Sequence, residues 1–294
     1  MTEAKFRIQT LNAISGAGLS RFPDERYEVG GGVENPDALL VRSARLHDTP
    51  IPQSVMAVAR AGAGTNNIPV SALTERGVPV FNTPGANANA VKELVLAGLF
   101  IASRNLIPAA RFAHTLEGDD EAIASAVEAG KKRFVGFELP GRTLGILGLG
   151  AVGVQVANAA LGLGLKVIGY DPAISVEHAW HLSADVKRAT SIEEVFKKAD
   201  ILTIHVPLIE ATRGLVSTQR IALMKDRAVI LNFARAEIVD TEAIVAALDE
   251  GELGGYVCDF PSTLVHKHRK CISLPHLGEL NRSEERRVGK ECRS

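Results

Sequence analysis

The fold class that the sequence predicts is α/β, a doubly wound parallel sheet joined to a second, smaller α/β unit. Three observations predict it. Strand-like apolar runs alternate with helix-like stretches from Phe6 to about Gly278, the order that builds parallel sheets. The segment Leu144–Asp171, LGILGLGAVGVQVANAALGLGLKVIGYD, passes from strand to glycine turn, helix, second strand and terminal acid. With 294 residues the chain is also long enough for two domains.

Residues 1 to about 93 read as the smaller unit. Strands are expected at Phe6–Thr10, Ala38–Val41, Val55–Arg60 and Val78–Phe81, each closed by turn residues, with a helix at Val70–Arg76. Asn89–Ser103 reads as a long helix that carries the chain into the second unit. Leu106–Gly136 is more polar and suits a helical arm and loop on the surface. Beyond the glycine segment, strands are expected at Ile201–His205, Ala228–Asn232, Gly255–Cys258 and Ile272–Leu274. Helices are expected at Ser191–Lys198, Arg220–Met224 and Asp240–Glu250. The tail Asn281–Ser294, NRSEERRVGKECRS, is dense in charge and unlike what precedes it; it reads as a truncated or misread end.

Composition narrows the function classes. With 46% hydrophobic and 23% charged residues the profile is that of an ordinary globular protein. A net charge of −1 implies no polyanion partner, so no nucleic acid. The longest apolar run, Leu94–Ala102, is too short to span a membrane. Cys258, Cys271 and Cys292 fit no metal or disulfide spacing, which points to a reducing cytoplasm and no metal site.

The glycine segment carries the first chemistry. Gly148 permits a tight turn, Gly150 lets the backbone approach a pyrophosphate, and Gly153 lets the helix pack against the strand. Ala151 and Val152 lie in the same turn, where a helix start offers N–H groups to phosphates. Asp171 stands 18 residues beyond Gly153, close to the spacing of a ribose-binding acid. Its carboxylate accepts hydrogen bonds from a ribose diol and repels a 2′-phosphate. No Arg or Lys lies between Pro172 and His178 to hold that phosphate, so NAD is the expected cofactor.

In doubly wound sheets ligands sit beyond the carboxyl ends of the strands. The residues there are Asp171 and Pro172; His205, Val206 and Pro207; Phe233, Ala234 and Arg235; Asp259; and His276. Arg235 is suited to hold a substrate carboxylate through two parallel hydrogen bonds. His276 is suited to move a hydroxyl proton. A surface ion pair for Arg235 and a structural hydrogen bond for His276 are the alternatives. His205 is expected to shape the cofactor pocket. For Asp259 a local cap and a contact to the nicotinamide amide both stand open.

The chain resembles the D-isomer-specific 2-hydroxyacid dehydrogenases over nearly all of Phe6–Gly278. The motifs that carry the resemblance are Val41-Arg42-Ser43, Arg60-Ala61-Gly62-Ala63-Gly64, Asn82-Thr83-Pro84 with Asn87–Glu93, Gly148–Gly153, His205-Val206-Pro207-Leu208, Asn232-Phe233-Ala234-Arg235 and Pro275-His276-Leu277-Gly278. The resemblance implies a Rossmann domain that binds NAD at residues 94–280 and a flavodoxin-like substrate (lid) domain at 1–93, with the active site in the cleft. It implies hydride transfer, with Arg235 and His276 as the catalytic pair. Gly62, Ala63 and Asn87 would contact the substrate, and Arg42, Ser43 and Arg60 would hold a phosphorylated 2-hydroxy acid. It also implies a homodimer or homotetramer. A dehydrogenase of unphosphorylated acids and an NAD-sensing protein without catalysis remain the other readings. One departure is local: most members carry a Glu beside the catalytic His where this chain has Thr263.

Overall fold

The computed structural model describes residues 4–12, 14–62 and 64–279; Ala63 and the charged tail from residue 281 lie outside the described residues. The chain divides into two compact units at Ala88–Asn89. The first holds β1 (Phe6–Leu11), α1 (Gly16–Leu19), β2 (Tyr27–Gly30), β3 (Ala38–Val41), β4 (Ala57–Arg60), α2 (Val70–Glu75) and β5 (Val80–Asn82). Its five strands are all parallel in the order β2-β1-β3-β4-β5.

Alternation fixes which face of this sheet is covered. In β3 and β4 every second residue is buried, and Leu39, Val41 and Val58 meet Ile68, Leu73 and Val78 in one core. Each such side chain contributes about 1.5–3 kcal/mol through burial. The register pairs Val41 with Arg60, so Arg42 follows the strand end beside which Arg60 stands. β2 and α1 are not among the elements expected from the sequence. β2 is an edge strand of four residues, YEVG, and an edge needs no continuous apolar run.

The second unit runs from Asn89 to Glu279. It opens on α3 (Ala88–Ser103), α4 (Leu106–Ala113) and α5 (Asp120–Gly130), followed by a 3-10 turn at Lys131–Phe134. The arm is thus helical. Asp119 caps α5 by accepting from the Ala122 N–H, and the turn closes on α4 through the Phe112–Phe134 ring pair and the Arg133 guanidinium over Phe112.

Then follow β6 (Thr143–Leu147), α6 (Ala151–Gly162), β7 (Lys166–Tyr170), α7 (Val176–His181), β8 (Lys187–Arg188), α8 (Ile192–Lys198), β9 (Ile201–Ile204), α9 (Thr218–Ile221), β10 (Ala228–Asn232), α10 (Thr241–Glu250), β11 (Leu253–Cys258) and β12 (Cys271–Ser273). Seven parallel strands lie in the order β12-β11-β10-β9-β6-β7-β8, which reverses direction between β6 and β9. This is the doubly wound arrangement, with its switch point between those two strands.

The central strands β9 and β10 are buried at every position, as strands covered on both faces must be. Two apolar clusters cover the sheet. One gathers Phe196, Ile204, Ile230, Ile244 and Leu248, the other Val95, Leu99, Ile146, Val156 and Leu231. Ser191 and Asp240 cap α8 and α10 through the N–H groups of Glu194 and Ala243. Among the described residues no helix is long and apolar enough to cross a membrane.

Candidate active site

The carboxyl edge of the seven-stranded sheet collects the residues singled out from the sequence in this unit. Gly148–Gly153 follow β6, Asp171 and Pro172 follow β7, and His205–Pro207 follow β9. Phe233–Arg235 follow β10, Asp259 follows β11 and His276 comes soon after β12. A cavity of about 460 Å³ lies at the opposite edge, lined by Arg142, Asp200, Arg227, Gly254 and Lys270, and contains none of them.

The glycine turn divides its labour as the spacing predicts. Gly148 has φ +90°, and a Cβ there would lie 2.7 Å from the His205 carbonyl carbon. A Cβ on Gly153 would lie 2.0 Å from the Gly148 carbonyl oxygen, so only glycine lets α6 approach β6 this closely. A Cβ on Gly150 would meet nothing within 4 Å, which leaves its backbone open to a ligand. The helix begins at Ala151, so Ala151 and Val152 form its first turn and Gly150 is an N-cap without a side chain. The first N–H groups of such a helix have no intrahelical acceptor and suit a pyrophosphate.

Asp171 is tied to that turn. Its Oδ2 accepts from the Leu149 N–H at 2.8 Å and its Oδ1 from the Ala173 N–H at 2.9 Å. Each carboxylate oxygen carries two lone pairs, so both retain capacity for a ribose diol. Pro172 is exposed in the same loop. These features fit a dinucleotide without a 2′-phosphate.

His205 donates its backbone N–H to the Leu147 carbonyl at 2.7 Å, tying the end of β9 to β6. Its Nε2 lies 3.0 Å from Thr203 Oγ1, and burial lowers its pKa to about 3, so the imidazole is neutral at physiological pH. Val206 is half-buried, and the exposed Pro207 accepts the Thr212 hydroxyl through its carbonyl. Phe233 is buried against α3, where its ring would meet a Cβ on Gly98 at 3.2 Å.

Arg235 is half-buried, and its Nη1 donates to the Ala234 carbonyl at 2.6 Å. Asp259 is 1% exposed and caps the turn that carries His276. Its Oδ1 accepts from the Leu277 N–H and its Oδ2 from the Gly278 N–H, both at 2.8 Å. His276 is exposed, adopts φ +56°, donates its N–H to the Asp259 carbonyl at 3.2 Å and packs 5.4 Å from the Phe260 ring. A left-handed conformation costs a non-glycine residue about 1–3 kcal/mol, so the surrounding turn must impose it. Thr263 is exposed.

The first unit gathers its own set. Arg60 is 6% exposed; its Nε donates to the Arg42 carbonyl at 3.1 Å and its Nη1 to the Gly64 carbonyl. The guanidinium lies directly under Gly62, where a Cβ would come 3.1 Å from Nη1. The Gly62 N–H donates to Thr83 Oγ1 at 2.8 Å. Ser43 donates its N–H to Asn12 Oδ1 at 3.2 Å, Arg42 is half-buried, and Asn87 lies in the turn before α3. Thr83 and Asn232 stand in the sequence only as members of motifs. The sequence signal for Asn232 is a polar residue ending the run AVILN; for Thr83 it is membership of the Asn82-Thr83-Pro84 motif alone.

The comparisons with known proteins agree with this geometry. The model of the D-isomer specific 2-hydroxyacid dehydrogenase NAD binding domain matches residues 102–278, and that of the family's catalytic domain matches residues 23–169. D-3-phosphoglycerate dehydrogenase from Methanocaldococcus jannaschii is 35% identical over 266 residues, covering 87% of this chain and 48% of the relative. Hydroxypyruvate reductase from Thermotoga maritima is 34% identical, covering 91% of this chain and 86% of the relative. The chain thus spans about half the length of the phosphoglycerate dehydrogenases it matches. The crystal structure of NAD-bound 3-phosphoglycerate dehydrogenase from Entamoeba histolytica aligns with a TM-score of 0.76 at 25% identity, covering 98% of this chain and 93% of that one. A switch-point glycine turn backed by an acid, on a chain matched by both domain models, makes this protein a member of the NAD-dependent D-isomer specific 2-hydroxyacid dehydrogenase family.

Proposed function

We propose that the chain oxidises D-3-phosphoglycerate to 3-phosphohydroxypyruvate, the entry to serine synthesis. The observation that carries this reading is the pair of arginines at the carboxyl ends of adjacent strands, Arg42 directly after β3 and Arg60 at the end of β4. A guanidinium offers a planar fork that matches phosphate oxygens.

In this reading Arg235 holds the substrate carboxylate, and Gly62, Ala63 and Asn87 are the substrate contacts that the family resemblance implies. His276 accepts the C2 hydroxyl proton as the C–H bond breaks. NAD, when bound, supplies the hydride acceptor. Asp171 orients its ribose and the first turn of α6 faces its pyrophosphate. His205, neutral throughout the working pH range, closes the cofactor side of the site without adding charge. The protein would act as a homodimer or homotetramer, with the arm at Leu106–Gly136 as the contact.

The Arg60 guanidinium favours a second reading. It is buried and donates to the Arg42 and Gly64 carbonyls, which suits a strut under the substrate loop better than a phosphate ligand. A reductase of hydroxypyruvate or glyoxylate needs no phosphate handle. NADH oxidation with 3-phosphohydroxypyruvate and with hydroxypyruvate at matched concentrations separates the two. The first reading expects a strong preference for the phosphorylated acid that Arg42→Ala reduces by about tenfold or more. Equal rates, unchanged by Arg42→Ala, would leave the reductase reading. A folded protein that binds NADH and turns over neither acid would exclude both.

A further inference from the structure

Behind the Arg235 loop runs a buried polar chain that the proposed chemistry does not use. β10 ends in a polar residue, Asn232, which is fully buried. A carboxamide withdrawn from water needs partners for both its ends. Asn232 Oδ1 accepts from the Ala234 N–H at 3.1 Å, and Nδ2 donates to the Arg235 carbonyl at 2.8 Å. These backbone partners fix the orientation of the amide, because an N–H requires the oxygen and a carbonyl requires the nitrogen. The same Nδ2 reaches the Tyr256 hydroxyl at 3.4 Å on the neighbouring strand β11.

Tyr256 is 4% exposed, and the buried Cys258 lies two residues further along β11. Burial pushes the titration of both groups up, so phenol and thiol keep their protons and remain donors. The thiol donates to the Phe260 carbonyl at 3.5 Å, and the Phe260 ring packs on His276. The loop after β10 is thus tied to Tyr256 on β11, the strand whose last residue, Cys258, meets the loop that follows it.

We infer that Asn232, braced by Tyr256, is a positioning residue that aims the Arg235 guanidinium. This inference rests on the reading of Arg235 as the carboxylate clamp. Asn232 ties down the peptide groups on both sides of the Ala234–Arg235 link, and the guanidinium itself rests on the Ala234 carbonyl. A bidentate clamp depends on direction, and a small misorientation costs much of its effect. Asn232→Asp keeps size and shape but turns an oxygen toward the Arg235 carbonyl. Tyr256→Phe removes only the hydroxyl.

The test measures steady-state reduction of 3-phosphohydroxypyruvate and hydroxypyruvate by the full chain, with the NADH dissociation constant determined separately by fluorescence. Arg235→Ala is expected to raise KM for the keto acids by about 100-fold, Asn232→Asp by about tenfold or more and Tyr256→Phe by about threefold, all with NADH binding unchanged. If Arg235→Ala raises KM while Asn232→Asp and Tyr256→Phe leave it within twofold, the positioning role is refuted and the clamp stands. If Arg235→Ala leaves KM unchanged, the clamp itself fails and the inference with it. Should Asn232→Asp not fold, Tyr256→Phe decides the question alone.

Discussion

Replacing Asp259 by asparagine isolates what holds the His276 turn in its left-handed conformation. The carboxylate is 1% exposed and accepts one N–H on each oxygen, from Leu277 and Gly278, both at 2.8 Å. Hydrogen bonds to a charged acceptor are worth about 1.5–3 kcal/mol each. Asparagine keeps one acceptor oxygen, at the strength of a neutral bond of about 1 kcal/mol, and presents its NH2 group to the other N–H. One charge-assisted bond is lost, the other weakened, and a buried donor is left facing a donor. The turn loses about 3 kcal/mol, or roughly 100-fold in the ratio of closed to open forms. A turn can open without the domain unfolding, so the melting temperature should fall by less than the roughly 6–12 °C that 3 kcal/mol of global stability would cost. Hydrogen exchange reads the turn directly: the Leu277 and Gly278 amides should exchange about 100-fold faster in the variant. If His276 moves the proton, kcat/KM should fall only as far as the closed fraction of the turn falls. Protection of both amides at the wild-type level would refute the reasoning, whatever the activity.

Three further expectations follow from the same geometry. Gly150→Ala should leave the melting temperature within about 1 °C, because its Cβ meets nothing within 4 Å, yet weaken NADH binding by about tenfold by standing where the pyrophosphate approaches. Gly153→Ala should do the reverse in emphasis, costing about 1–3 kcal/mol or more by overpacking, since its Cβ would lie 2.0 Å from the Gly148 carbonyl oxygen; a stable Gly153→Ala beside an unstable Gly150→Ala would contradict the account. His205 stays neutral in the folded protein down to about pH 3, whereas its unfolded form takes up a proton near pH 6.5, so the unfolded state binds more protons as pH falls. Stability should therefore drop below about pH 6.5 by up to about 1.4 kcal/mol per pH unit from this group, and His205→Gln should flatten that slope in urea titrations.

Where burial is two-sided, the fold is legible in the sequence. Ile201–Ile204 and Ala228–Asn232 are buried at every position and apolar but for Thr203 and Asn232, because helices cover both faces, and their bounds come within a residue of the expectation. Edges are harder to read. β2 and β8 bury little, and Lys187–Arg188 pairs with β7 through backbone alone, which leaves no trace in side-chain pattern. α6 begins at Ala151, inside what reads from the sequence as the glycine turn, because a glycine N-cap gives no side-chain signal and Gly153 sits inside the helix rather than ahead of it. Strand-end positions revealed which residues stand at the carboxyl edge. They did not reveal hydrogen-bond partners distant in sequence: Thr83 under the Gly62 amide, Asp259 under Leu277 and Gly278, Tyr256 behind Asn232. Those depend on register between strands, which periodicity within one strand does not encode.

Asp171 fastens the glycine turn through the Leu149 N–H, and in the proposed function the same carboxylate reads the cofactor's sugar. Two selective pressures thereby fall on a single carboxylate. A lineage drifting toward a 2′-phosphorylated cofactor would have to surrender the acid to admit the phosphate, and with it the fastening of its own pyrophosphate cradle. Cofactor choice in this chain is for that reason inherited together with the architecture of the turn, and an exchange of preference calls for a replacement latch at Leu149 before any new arginine is of use.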